Sequence, residues 1–228
     1  MFKINTHLFT AAGPEAVRRI GKLGPGIFLD LKFHDIPNTV YGAVTEAARM
    51  PDVRLIDLHT TGDIAMMRAG AEALAKIAGA QRHRPQLLGI TVLTSLDAAG
   101  LARVGISGSP AGTVVKLARL AKKSGLDGVV ASPQEVRRIR RACGPDFLIV
   151  VPGVRSEVRA EARPDLPQAP KPDDQARVAT PGDAIRAGAD YLVVGRPITA
   201  AADPESAAQA IVAEIADAMS ERLQKQRR

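Results

Sequence analysis

Short apolar runs and longer amphipathic stretches alternate along the whole chain. The runs Phe2 to Asn5, Gly26 to Leu31, Val53 to Leu58, Leu87 to Val92, Gly128 to Ala131, Phe147 to Val151 and Tyr191 to Val194 are rich in Val, Ile and Leu, and they predict seven β-strands. Between them, Pro14 to Lys22, Asn38 to Arg49, Ala65 to Ala78, Ala111 to Lys123 and Pro133 to Ala142 carry Ala-rich faces at helical spacing. Strand then helix, repeated, predicts a parallel sheet covered by helices. The Gly-Leu-Asp and Gly-Ala-Asp triplets at Gly125 to Asp127 and Gly188 to Asp190 read as helix ends that turn into buried strands.

The fold class this rhythm predicts is α/β, a TIM (β/α)8 barrel occupying residues 1–228 as one domain. A closed barrel of this type has eight strands, so the first strand is expected to be missing from the chain as given. An open, doubly wound sheet is the alternative. One segment breaks the rhythm: from Gly153 to Ala179 the chain is rich in Pro, Asp, Glu and Arg, with no apolar period. It is expected to be a long loop on the phosphate side of the barrel, and a lid in preference to an inert insertion.

Charges inside one strand pattern carry the chemistry. In Gly26 to Val40, alternate strand residues share a face, so Asp30 and Lys32 are expected to point one way while Leu29, Leu31 and Phe33 point the other. With helices against one face and neighbouring strands enclosing the other, an acid and a lysine are buried at the strand's C-terminal end. That burial is expensive unless the two are paired. Asp35 follows three residues after Lys32, in the turn that Pro37 helps to stop, and Asn38 or Thr39 is positioned to cap the next helix. The spacing D-x-K-x-x-D therefore brackets one ammonium with two carboxylates. Neighbouring negative charge favours the ammonium form, which suits a proton donor. A Schiff-base lysine needs an apolar site or a second cation, and Lys3, at another strand position, could supply one. Both readings stay open on the residues alone.

Composition narrows the class. Hydrophobic residues are 46% of the 228, charged residues 24% and aromatics 3%, with no Trp. There is apolar material for a core, but an aromatic-rich binding surface is not expected. A single cysteine, Cys143, cannot close an intrachain disulfide, and the start MFKINTHLF lacks the apolar stretch of a signal peptide. The expected location is cytoplasmic, and no apolar run reaches the roughly eighteen residues of a membrane span. The formal charge of +7 favours anionic partners such as phosphorylated metabolites. Part of that excess lies in the tail ERLQKQRR, which reads as a solvated helix end, so nucleic-acid binding is not inferred. His7 and His83 have no companions suggesting a metal site, and neither a Ser-His-Asp set nor a P-loop stands out.

The run LDLKFHDIPNTV at Leu29 to Val40 extends D-x-K-x-x-D into a much more specific string. With FKINTHLFTAAGPEAV at Phe2 to Val17, TVLTS at Thr91 to Ser95, VPGVR at Val151 to Arg155 and VVGRPIT at Val193 to Thr199, it resembles the orotidine 5′-monophosphate decarboxylase family over about Phe2 to Ile211. That resemblance implies removal of the C6 carboxylate of orotidine 5′-monophosphate to give UMP, without metal or organic cofactor. It further implies that Lys3, Asp30, Lys32 and Asp35 form an alternating charged array in a homodimer, with Asp35 contributed to the neighbouring subunit. Lys32 would protonate C6, and Asp30 would lie against the substrate carboxylate. Lys3 and Asp35 would hold the ribose hydroxyls, with Ile36, Thr39 and Thr94 also binding substrate. Arg155, Gln175, Gly195 and Arg196 would grip the phosphate, helped by the dipole of the helix that starts beyond Gly195. His34 reads as a positioning residue and His59, Met66, Met67 and Cys143 as structural. A sugar-phosphate decarboxylase or aldol synthase of the same superfamily, and an inactive nucleotide-binding remnant, are the alternatives.

Overall fold

A computed structural model describes residues 1–77, 84–155 and 179–226. In chain order the elements are β1 (Phe2–Asn5), α1 (Thr6–Gly21), β2 (Ile27–Phe33), α2 (Pro37–Arg49), β3 (Val53–His59), α3 (Asp63–Ile77), β4 (Gln86–Ile90), α4 (Ala98–Arg103) and α5 (Pro110–Lys123). They continue with β5 (Gly128–Val130), α6 (Val136–Cys143), β6 (Leu148–Pro152), α7 (Pro181–Ala187), β7 (Tyr191–Val193), α8 (Arg196–Thr199) and α9 (Pro204–Gln226). The sheet runs β1-β2-β3-β4-β5-β6-β7 in sequence order. Its recorded ladders are parallel. All seven expected strands form, each within two residues of its expected ends.

The helices depart further from the pattern. α1 begins at Thr6 because Asn5 caps it, its Oδ1 accepting the Leu8 N–H at 3.1 Å. Gly13, at φ 57°, breaks it in the middle, and Pro14 opens its second half, the part that periodicity predicts. The Ala-rich α9 is 23 residues long, whereas the sequence reading recognised only its tail. α4, α7 and α8 are too short to show a period.

The chain forms two compact units. The first comprises Met1–Thr91, Lys116–Val130 and Pro145–Leu148; the second comprises Val92–Val115, Ala131–Gly144 and Ile149–Arg228. In the first, Leu29, Ile56, Leu58, Leu74 and Leu87 are completely buried. Gly70 lets α3 lie close on the sheet: a Cβ there would sit 2.8 Å from Leu58 Cδ2 and 3.2 Å from Leu87 Cδ2. The two Asp residues of the Gly-x-Asp triplets do the same job, one in each unit. Asp127 accepts the Leu87 N–H at 2.7 Å and pairs with Arg84 at 2.9 Å. Asp190 accepts the Ile149 N–H at 2.7 Å and pairs with Arg140 at 2.7 Å. Each carboxylate thus satisfies a backbone donor at the start of the preceding strand. Within the second unit, Glu214 of α9 accepts the Gly182 N–H at 2.8 Å, fastening α7 to α9.

Most of the loop expected over 153–179, along with His83 and Gln175, lies outside the described residues. No described helix is long and apolar enough to cross a membrane.

Candidate active site

The charged array begins in an irregularity of β2. Leu29 pairs with Ile56 and Phe33 with Leu58, so Asp30, Leu31 and Lys32 stand opposite the single residue Asp57. Such a bulge bends the strand and re-aims its side chains. Lys32 takes a left-handed backbone, φ 53°, which is sterically costly for a residue with a long side chain. Asp30 and Lys32 pair as their spacing leads one to expect, but they do so on a bulged strand and not on a flat one.

The result is a run of alternating charge. Lys3 Nζ on β1 lies 2.5 Å from Asp30 Oδ2, and Lys32 Nζ pairs with Asp30 Oδ1. Asp30 is only 5% exposed, whereas both ammoniums reach partly into solvent. Burial raises the pKa of the Asp30 carboxyl, but a hydrogen bond with Asp57 and the two lysines outweigh it and bring the value to about 2. Asp30 is thus a fixed negative charge at neutral pH.

Asp57 is the residue that the sequence reading missed. It is fully buried, and its Oδ1 accepts the Lys32 N–H at 2.8 Å. Burial, then the charge and hydrogen bond of Asp30, push its carboxyl well above the ordinary range. The signal was available: an acid in the apolar run VRLIDL poses the same burial problem as Asp30 in IFLDL.

Asp35 corrects the expectation that, within one chain, Lys32 is bracketed by an acid two residues before it and another three residues after it. It is exposed, its Oδ1 accepts the Ile36 N–H at 2.7 Å, and the described residues contain no Lys32–Asp35 ion pair. The second carboxyl beside Lys32 within this chain is Asp57. The reason is geometric: β2 ends at Phe33, and Asp35 lies in the turn into α2. Ile36, at 67% exposed, and Thr39 are also at the surface. Nor does Asn38 or Thr39 cap α2, whose N-cap is Ile36. Pro37 lacks an N–H, so the first helical position needs no cap. The His34 and His59 rings lie 5.1 Å apart, and burial, with His34 and Lys32 adding to it, lowers the pKa of His59.

Of the expected phosphate residues, Arg155, Gly195 and Arg196 belong to the second unit. Gly195 and Arg196 are exposed, and a Cβ at Gly195 would meet nothing within 4 Å, which leaves open space over its backbone. Arg155 is half-buried; its backbone N–H donates to Ala179 O at 2.9 Å and its guanidinium to Val154 O at 3.0 Å. Thr94 is half-buried between β4 and α4. The helix after Gly195 spans only Arg196–Thr199, so the expected dipole contribution is small. Among the described residues, no group of three or more His, Cys, Asp or Glu could hold a metal ion.

Comparisons with known proteins agree with one another. A sequence profile of the orotidine 5′-phosphate decarboxylase / HUMPS family matches residues 1–211. The orotidine 5′-phosphate decarboxylase of Geobacter sp. (strain M21) is 54% identical over 215 residues, spanning 94% of this chain and 85% of that one. The enzyme of the same name from Pelobacter propionicus is 52% identical, spanning 94% and 84%. Among solved structures, orotidine 5′-phosphate decarboxylase from Lactobacillus acidophilus superposes with a TM-score of 0.76 at 36% identity, covering 93% of this chain and 85% of its own. An uncharacterized conserved protein from Geobacillus kaustophilus gives 0.77 at 36%, covering 93% and 86%. The fold class is accordingly the α/β, TIM-type one that the strand–helix rhythm predicts. On sequence and fold alike, the chain belongs to the orotidine 5′-phosphate decarboxylase / HUMPS family.

Proposed function

We propose that this chain, a carboxy-lyase, converts orotidine 5′-phosphate to UMP with Lys32 as the proton donor. The observation that carries the reading is the Lys3–Asp30–Lys32 array, with its central acid buried and held ionised between two ammoniums. Relatives over 50% identical named orotidine 5′-phosphate decarboxylase support this substrate over the sugar phosphates also found in the wider family.

The chemistry follows from the charges. The bond between C6 and the carboxylate breaks heterolytically; carbon dioxide leaves, and the electron pair stays on C6. The Lys32 ammonium, already in place, stabilises that developing charge and then transfers a proton to C6, giving UMP. Asp30 faces the substrate carboxylate, and this repulsion is relieved as carbon dioxide departs. Because the Asp30 pKa is about 2, that repulsion persists throughout the physiological pH range. Lys3 and Asp35 hold the ribose hydroxyls, and Ile36, Thr39 and Thr94 line the substrate. Arg155, Gln175, Gly195 and Arg196 hold the phosphate, whose binding energy positions the ring. The working unit is a cytoplasmic homodimer in which Asp35 serves the neighbouring copy. The exposure of Asp35 and Ile36 supports this.

Lys32→Ala tests the assignment. It should lower turnover by at least roughly 10²-fold, the lower end for a lost general acid. UMP binding, followed by equilibrium titration, should survive. Turnover equal to that of the wild type would end the assignment.

A further inference from the structure

We propose that Asp57 is the positioning residue for Lys32, acting as an un-ionised carboxylic acid that accepts the Lys32 backbone N–H through Oδ1 and donates its Oδ2 hydrogen to Asp30. The inference rests on the reading of Lys32 as the proton donor and adds what holds that lysine in its unusual conformation.

Three observations converge. First, three residues of β2 stand opposite Asp57, and the last of them, Lys32, has φ 53°. A bulky residue keeps such a backbone only where its surroundings impose it. The 2.8 Å bond from the Lys32 N–H to Asp57 Oδ1 is such an imposition, because it gives the displaced amide a partner that the neighbouring strand does not provide. Second, Asp57 is completely buried, and its other oxygen, Oδ2, is buried and accepts no hydrogen bond. A buried carboxylate oxygen left so is costly, whereas a protonated oxygen becomes a donor and needs only an acceptor. Third, that acceptor is at hand. The titratable groups around Asp57 are Asp30 and Lys32 on β2, with Lys3 on β1 against Asp30 and His59 on its own strand. Asp30 has two ammoniums as partners. Asp57 makes no ion pair with either, so when two neighbouring carboxyls share one proton it resides on Asp57.

The two oxygens then have separate tasks. Oδ1 sets the backbone of the donor lysine, and Oδ2–H orients the acid that the lysine's own ammonium grips. Asp57 touches no reacting atom in this scheme; it works through Lys32 and Asp30.

Asparagine has the shape of the protonated acid, with one acceptor oxygen and one donor group. Asp57→Asn should therefore keep kcat within about threefold of wild type. Asp57→Leu, of similar size but with neither function, should lower kcat on the order of 10²-fold, the effect of a small misplacement, while KM changes little. Infrared difference spectroscopy of the ligand-free wild type at neutral pH should show a protonated carboxyl band that Asp57→Asn removes. A folded Asp57→Asn protein without activity would overturn the proposal, as would a fully active Asp57→Leu. If the Leu variant fails to fold, the infrared band and the Asn variant decide: presence and loss of the band with retained activity supports the proposal, and absence of the band from the wild type overturns it. Failure of the underlying reading shows up separately, as a wild type that does not decarboxylate orotidine 5′-phosphate or a fully active Lys32→Ala, whereas the infrared measurement needs no substrate.

Discussion

Replacing Asp30 with Asn keeps the shape of the side chain and removes its charge, so the energetic worth of the array can be read as stability. In the native structure the carboxyl titrates at about 2, against an ordinary value of 3.8. At about 1.4 kcal/mol for each pH unit, the environment favours the ionised form by roughly 2 kcal/mol. The group is 5% exposed, so solvent screening takes away little of this. The sign follows from linkage. The native pKa lies below the unfolded one, so the unfolded chain takes up the proton first; the stabilisation is complete above about pH 3.8 and is lost as pH falls towards about 2. Asp57 works in the opposite sense, because its raised pKa lowers stability as pH rises above 3.8. Removing the Asp30 charge relieves part of that, which makes roughly 2 kcal/mol an upper bound. Urea unfolding at pH 7, 5, 4 and 3 should show Asp30→Asn up to that much less stable than wild type at pH 7, with the gap closing below pH 4. A variant as stable as wild type at pH 7, or a gap that does not change with pH, would refute the reasoning.

Two further outcomes are expected. Arg196→Ala should weaken UMP binding by about 1.5–3 kcal/mol, the usual worth of a hydrogen bond to a charged group, but leave uridine binding nearly unchanged; isothermal titration with both ligands checks this, and equal losses would remove Arg196 from the phosphate site. Leu58→Ala, at a fully buried position under Gly70, should lower unfolding free energy by about 2–5 kcal/mol in denaturant titrations without changing the KM of the remaining folded enzyme.

Much of this molecule is legible in one dimension. The seven strands are visible because a parallel strand covered on both faces must be apolar throughout, and such runs stand out against amphipathic helices. The same rule makes Asp30 and Lys32 conspicuous, since charge within an apolar run is tolerated only when it is paired. Asp57 obeys that rule too, but it lies one strand away, with no motif to single it out, and its meaning depends on what faces it. α4, α7 and α8 are hidden for a different reason: their stability comes from caps and neighbours such as Thr180, whose Oγ1 accepts the Asp183 N–H at 3.0 Å, and not from any period.

The sequence by itself determined the class of fold, the family and three members of the charged array, Lys3, Asp30 and Lys32, because these depend on local periodicity and on contiguous strings of side chains. Only the tertiary structure decided how the charges meet. Register between β2 and β3 places three residues opposite one, turns Lys32 into a left-handed conformation, brings Asp57 against it and leaves Asp35 at the surface. Register is a relation between strands set by how their side chains pack, and no spacing along a single chain encodes it.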